Sequence, residues 1–244
     1  MICVSLTTIP NRIKNLGKSV ESLLNQTVKP NKIFINIPKK YKRFDENIND
    51  QQIPKFNDEI IEIVRCEDCG PGTKLLGSIE NLNKNNLLAI LVDDDHYYEN
   101  YMIEEFNNFY LKAPENAYSF YVHPLRNFGV GQGADGFAIN GNSLNGIKKF
   151  YEEVVNANKD LFIHDDLWIS FFLSYVKKIK ILSLQSRLRK KSKNDQPLIY
   201  KKHSKDIGLI ESYGKNINDA IRKRDEIAFK NMNYMFDKIN KVKF

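Results

Sequence analysis

Residues 87–92 read Leu-Leu-Ala-Ile-Leu-Val, the longest strictly apolar run in the chain, and Asp93-Asp94-Asp95 follows at once. Six apolar residues are far short of the roughly 20 that a membrane span needs. A run without polar alternation predicts a strand covered on both faces, as in the centre of a parallel sheet. The N-terminus fits the same architecture. Ile2-Cys3-Val4-Ser5-Leu6 predicts a buried strand, and Lys32-Ile33-Phe34-Ile35-Asn36-Ile37 a second one ended by Pro38. Between them Ile13, Leu16, Val20, Leu23 and Leu24 recur at helical spacing, which predicts a helix over 12–26. Strand, crossover helix, strand implies a parallel sheet.

Further strands are expected at 60–64, 117–122 and 179–184. Helices are expected at about 74–84 with Thr73 as cap, through Tyr101 to Tyr110, from Asn142 or Ser143 to about 155, and over 167–173. In the last thirty residues Ile217, Ile221, Ala228, Met232, Met235 and Ile239 form one helical face. The chain's 244 residues, 42% of them hydrophobic, suffice for a sizeable core and exclude wholesale disorder. The start MICVSLTTIP has neither a basic beginning nor a long apolar stretch, so no secretory signal is expected. Cys66 and Cys69 form a CxxC with no second ligand pair nearby, which fits structural thiols in a reducing compartment better than zinc. Much of the net charge of +7 lies late, in 187–193 and the last thirty residues. Such a segment is either a solvated loop or an attractor of phosphates, in a nucleotide, a nucleic acid or a lipid headgroup.

The chemistry starts at the three aspartates. Carboxylates in a row repel one another, and in open α/β sheets ligands bind beyond the carboxyl ends of the strands. Asp93 and Asp95, two apart in an extended segment, can face one cation, and oxygen ligands suit Mn²⁺ or Mg²⁺. The alternative is a solvated turn or a helix cap. His164-Asp165-Asp166 is a second acidic cluster, either stabilising a helix N-terminus or supplying a general base. Gly70-Pro71-Gly72-Thr73-Lys74 can set Lys74 and helix amides against a phosphate, or be a plain capped turn. Gly131 to Gly136 matches GxGxxG, but Phe137-Ala138-Ile139 after it reads as extended, against a dinucleotide fold. His203 either is incidental or completes a metal shell from the C-terminal side, and Trp168 is either core or a stacking platform for an acceptor.

Together these segments resemble the GT-A-type nucleotide-sugar glycosyltransferases, of the family 2-like inverting kind. The likeness covers roughly residues 1–175: SLTTIPNR, SLLNQTVKP, GPGTKLLG, VDDD in the place of the DXD motif, and HDDLW in the place of the later acidic pair. It implies a Rossmann-type, mixed but mainly parallel sheet flanked by helices over residues 1–184. A basic, mainly helical extension, 185–244, would pack on the same domain. It further implies a metal-dependent, hexosyltransferase-like enzyme. Thr7, Thr8, Pro10, Arg12, Lys74 and Asp94 would bind the donor nucleotide, a UDP- or GDP-sugar. Asp93 and Asp95, with His203, would hold Mn²⁺ or Mg²⁺. Asp166, with Asp165 beside it, would deprotonate an acceptor hydroxyl near Trp168. The pair is Asp-Asp where the family often has Glu-Asp, and the family's acidic residue after the second strand is missing at Asn36-Ile37-Pro38. The acceptor would be a glycan, lipid-linked or protein-linked, in surface polysaccharide biosynthesis. The setting would be cytoplasmic, with a peripheral contact at the membrane surface and no nucleic acid.

Three rival readings make different demands. A metal-dependent nucleotidyltransferase normally has a glycine-rich phosphate loop near the N-terminus, and SLTTIPNR has no glycine. A nucleic-acid-binding protein needs aromatic and basic residues interleaved on one surface, and 187–193 has no aromatic. A non-catalytic scaffold with the same fold has no need of both acidic clusters.

Overall fold

The computed structural model describes residues 1–125, 128–184, 200–202 and 217–241. The strands are β1 (Ile2–Thr7), β2 (Lys32–Pro38), β3 (Ile61–Cys66), β4 (Leu88–Leu91), β5 (His96–Tyr98), β6 (Ala117–Ser119), β7 (Val122–Leu125), β8 (Phe128–Gly131), β9 (Phe137–Asn140), β10 (Ile181–Ser183) and β11 (Tyr200–Lys202). Seven of them form one sheet in the order β10-β6-β9-β4-β1-β2-β3. All neighbours pair in parallel except at β9, which runs antiparallel to both β4 and β6. The apolar run 87–92 thus lies at the middle of the sheet, as its lack of alternation requires.

Alternation of side chains about the strand axis divides the core in two. Ile2, Val4 and Leu6 join Leu88, Ile90 and Val92 on one face, against the helices α1 (Leu16–Leu24) and α4 (Met102–Lys112). Cys3 joins Leu87, Ala89 and Leu91 on the other. That second face is covered by α2 (Thr73–Leu76), α3 (Ile79–Leu82), α5 (Ile147–Phe150), α6 (Lys159–Phe162), α7 (Asp165–Phe171) and the C-terminal α8 (Ile217–Ile239). Ala228, Met232 and Met235 of α8 are buried in it, and Phe236 packs edge-on against Phe171 and Tyr175 at ring separations of 4.9 and 4.6 Å. A face with helices on both sides is what the unbroken apolar run called for.

Several local expectations change. The helix expected over 12–26 opens as a 3₁₀ helix, Pro10–Asn15, before α1 begins. Pro10 fits there because the first helical position has no use for its missing N–H. The helix expected over 74–84 is two four-residue pieces, α2 and α3, broken at Gly77-Ser78. Thr73 does not cap: its hydroxyl accepts a hydrogen bond from the Cys69 amide at 2.8 Å. The glycine-rich stretch 129–136 splits into β8, which pairs antiparallel with β7, and a short 3₁₀ turn at Gly133–Asp135. Both α5 and α7 continue as single π-helical turns, Tyr151–Val155 and Phe172–Val176. Among the described residues no helix is long and apolar enough to cross a membrane.

Candidate active site

The parallel strands β1, β2, β3 and β4 all end on one edge of the sheet, and the site is built from the loops that leave them. After β4 the chain turns through the three aspartates, and each carboxylate goes a different way. Asp94 is buried, accepts a 2.5 Å hydrogen bond from the Thr8 hydroxyl and pairs with Arg12 at 3.2 Å. Burial pushes the Asp94 carboxyl up to about 6, against the opposing pull of Arg12 and Thr8. Asp95 takes the other arm of Arg12 at 2.9 Å and lies 2.7 Å from His96 Nδ1. Burial alone would lower the affinity of the Arg12 guanidinium for its proton; Asp94 and Asp95 outweigh it and hold the group charged. Asp93 pairs with the Lys74 ammonium.

Lys74 joins the two acidic clusters. It is buried, and besides Asp93 it contacts Asp165 Oδ2 at 3.0 Å. Burial acts against its charge, but Asp165, Asp93 and Asp166 together raise its pKa well above the lysine value. Its backbone is held just as firmly. The Lys74 carbonyl accepts from the Ser5 hydroxyl at 2.5 Å, and Asn36 Nδ2 donates to Ser5 Oγ at 2.8 Å and to the Leu6 carbonyl at 3.0 Å. Gly77 is required here, because a Cβ on it would lie 2.6 Å from Asn36 Oδ1.

Asp166, half-buried at the start of α7, accepts a 3.0 Å hydrogen bond from the Gly133 amide on Oδ1. Burial, reinforced by the Asp165 charge, raises its pKa well above the usual carboxylate range, and Lys74 pulls the other way. A Cβ at Gly133 would stand 2.6 Å from Lys74 Nζ and 3.1 Å from Asp93 Oδ1, so the glycine gives the cluster its room.

Thr7, Thr8, Arg12, Lys74, Asp93, Asp94, Asp165 and Asp166 all line one cavity of about 220 Å³, which Tyr41, Arg43 and Asp68 also wall. Eight of the residues singled out in the sequence are therefore brought together. Others are placed differently. Pro10 opens the 3₁₀ helix and is not among the residues lining the cavity. Trp168 has no exposed surface and packs beside Gly72, where a Cβ would come within 2.6 Å of its ring. The acceptor platform expected at Trp168 is thus corrected to a core residue: a ring with no free face cannot stack on a sugar. His203 lies outside the described residues. Among the described residues, His96 has its ligand atom in one group with those of Asp93 and Asp95, all within 4.8 Å. Its signal in the sequence was its place directly after the third aspartate. The Ser5–Asn36 support of Lys74 had no such signal, because its members are 31 residues apart or more. Cys66 and Cys69 are free and half-buried, and burial raises both thiols, Cys66 to about 12, so both stay protonated near neutral pH.

No family model matches the chain, and no curated protein matches its sequence. Solved structures do. The mannosyltransferase PcManGT from Pyrobaculum calidifontis, in complex with GDP-Man and Mn²⁺, superposes with a TM-score of 0.54 at 9% identity, over 100% of this chain and 76% of that one. The galactosyltransferase LgtC, in complex with donor and acceptor sugar analogues, gives 0.51 at 10% identity over 94% and 96%. The glycosyltransferase GlyE of Streptococcus pneumoniae gives 0.50 at 12% identity over 98% of this chain but 63% of its own. The architecture is therefore that of the GT-A-type glycosyltransferases, a mainly parallel α/β sheet flanked by helices.

Proposed function

We propose that this protein is a metal-dependent glycosyltransferase that moves a sugar from a nucleoside-diphosphate donor to an acceptor hydroxyl, with inversion at the anomeric carbon. The observation that carries the reading is the Lys74 bridge. One buried cation fixes a carboxylate of the strand-end triad and a carboxylate of the second acidic pair around a single cavity.

The residues present fit a divalent cation. Two carboxylates and an imidazole, Asp93, Asp95 and His96, gather their ligand atoms within 4.8 Å, and this donor set suits Mn²⁺ over Ca²⁺ or a thiolate-bound metal. Bound there, Mn²⁺ or Mg²⁺ would supply Lewis-acid stabilisation of the departing diphosphate. The chain's own residues do the rest. Thr7, Thr8, Arg12 and Asp94 form the wall for the nucleoside, with Arg12 also clamping the acidic turn in place. Lys74 puts a permanent positive charge beside the diphosphate. Asp166 takes the proton of the acceptor hydroxyl as its oxygen attacks the anomeric carbon; the bond from that carbon to the phosphate oxygen breaks, and its electron pair leaves with the diphosphate. The Gly133 amide holds Oδ1 of Asp166, which leaves Oδ2 for the proton. A carboxylate whose proton affinity is raised by burial is well matched to that task. One base and one displacement give inversion. The acceptor class is a glycan, lipid-linked or protein-linked, of the kind used in surface polysaccharide biosynthesis at the cytoplasmic side of a membrane.

The test combines binding with stereochemistry. UDP, GDP, CMP and dTDP are screened for thermal stabilisation with and without Mn²⁺, since a ligand of the native state raises its stability. The matching nucleotide sugar is then turned over and the product anomer read by proton NMR. Stabilisation by one nucleotide only with Mn²⁺, and an inverted product lost in Asp166→Asn, are expected. Wild-type transfer by Asp166→Asn would remove Asp166 as the base, and a retained anomer would remove the single displacement.

A further inference from the structure

Asp93, Asp94 and Asp95 are all paired from within the chain. Asp95 faces one arm of Arg12 at 2.9 Å, and Asp93 pairs with the Lys74 ammonium. The two cations differ in what their release would cost. The second arm of Arg12 reaches the buried Asp94 at 3.2 Å, so its departure would strand that carboxylate. Lys74 has another partner, Asp165 Oδ2 at 3.0 Å, and can leave Asp93 without becoming an unpaired buried charge. We propose that Lys74 is the internal counter-ion of Asp93: a divalent cation and the ammonium compete for that carboxylate, and Asp93 is released to the metal when a diphosphate draws the ammonium away. The proposal rests on the transferase reading above for the diphosphate, but not for the competition at Asp93.

The geometry confines this exchange to one side chain. The Lys74 carbonyl accepts from the Ser5 hydroxyl at 2.5 Å and from Asn36 Nδ2 at 3.3 Å, so the backbone stays in place while the head moves. That head carries three rotatable donors on a flexible stem, unlike the planar fork of Arg12. Gly133 borders it: a Cβ there would lie 2.6 Å from Nζ, and the missing side chain keeps that flank of the ammonium clear. Lys74 and Asp93 line the same cavity as Thr7, Thr8 and Arg12, so a diphosphate held beside the nucleoside wall meets the ammonium directly. Electrostatics set the direction of the effect. Two cations brought to one carboxylate repel each other, and salt screens a partly buried group only weakly. A diphosphate offers the ammonium a new anion in place of the one it gives up, through charge-assisted hydrogen bonds. A divalent cation alone therefore meets Asp93 already taken, and the site assembles when the donor arrives. The coupling is reciprocal: whatever nucleotide does for metal affinity, metal does for nucleotide affinity.

Mn²⁺ binding to the full chain is measured by electron paramagnetic resonance of the free aqueous ion, alone and with GDP or UDP. Without nucleotide, Lys74→Met and Lys74→Gln are expected to bind Mn²⁺ tenfold or more tighter than the wild type. Lys42→Met removes the same charge from an exposed position whose amide is held by Asp68 of the cavity wall, and is expected to change nothing. With nucleotide the wild type gains affinity for Mn²⁺, and this gain shrinks in both Lys74 variants. Circular dichroism melts establish that each variant is folded. Should both Lys74 variants fail to fold, Gly133→Ala keeps the ammonium but pushes it off Asp93, and is read in the same way. Equal or weaker Mn²⁺ binding by these variants without nucleotide, no binding by any form, an equal gain in Lys42→Met, or an undiminished effect of nucleotide overturns the proposal. If the variants tighten Mn²⁺ binding but no nucleotide binds any form of the protein, the competition at Asp93 stands and the transferase reading fails. Sugar transfer with Mn²⁺ affinities indifferent to Lys74 fails the counter-ion alone.

Discussion

At the scale of single residues, the site is an arrangement of opposed charges whose spacing depends on small neighbours. Gly133 is the clearest case. The atom that a methyl group there would strike is the Lys74 ammonium, the far end of a flexible side chain. Gly133 is itself buried and the ammonium is a buried, paired one, so Gly133→Ala is expected to cost about 1–3 kcal/mol while displacing Lys74 from Asp93. Transfer should fall by tenfold or more at a temperature well below the variant's own unfolding transition. Normal turnover by Gly133→Ala would show that the Lys74 position does not matter. For Arg12 the readout is stability alone. Its removal leaves Asp94 buried without its cation. Breaking a fully buried pair costs about 3–5 kcal/mol, and exposure of part of the guanidinium brings the expectation for Arg12→Met to about 2–3 kcal/mol. Chemical denaturation measures it, and a cost below about 1 kcal/mol would mean that water already serves Asp94.

At the scale of elements, what could be read in the sequence depended on how local its cause was. The strands β1, β2 and β4 were legible because each is an apolar run with both faces covered, and α1 because its apolar residues keep helical spacing. The pair of β5 with β11 and the hairpin of β7 with β8 were not, since three- and four-residue strands take their shape from remote partners such as Tyr98 with Tyr200. For the same reason Asp93 and Asp166 could be named one by one, whereas the Lys74 bridge between them and the burial of Trp168 are products of packing. The contact of the β7–β8 hairpin with α8 makes a pH prediction. Burial lowers the pKa of His123, with Arg224 acting in the same direction and Asp225 against it. Burial likewise lowers that of His164, where Asp165 and Asp160 oppose and Arg224 adds. A base whose folded pKa lies below its unfolded value stays neutral in the fold. Its stabilising contribution is whole above about pH 6.5 and is lost as the pH falls toward the lowered value. Asp94 and Asp166, with raised values, act oppositely over an overlapping range. The informative quantity is therefore the difference between wild type and His123→Gln/His164→Gln. Between pH 7.5 and 5.5 the wild type should lose more stability than the variant; identical slopes would mean that neither histidine is shielded from water.

At the scale of the whole molecule, the family resemblance implied that the basic C-terminal part packs on the same domain. Its apolar face, Ala228, Met232 and Met235, was legible from spacing alone, but spacing cannot say what the face covers. In the structure it closes the same core that holds Leu87, Ala89 and Leu91 of the central strand, beside Phe171 of the helix that carries Asp166. The helix thus links the sheet to α7. A single cooperative unit of residues 1–184 and α8 is the expectation, and the unfolding curve should report it. Met235 has no exposed surface, and truncating such a side chain to alanine costs about 2–5 kcal/mol through lost burial and the cavity left behind. If α8 belongs to the cooperative core, Met235→Ala moves the entire urea transition to lower midpoint with its slope kept, whether followed by circular dichroism or by Trp168 fluorescence. Trp168, the chain's single tryptophan, sits in that core on α7 and not on α8, so its fluorescence reports the body of the fold. Were α8 an independent extension, the circular dichroism would show an early loss of helix in Met235→Ala while the Trp168 transition stayed where it is in the wild type. Coincident curves, shifted together, are the expected result.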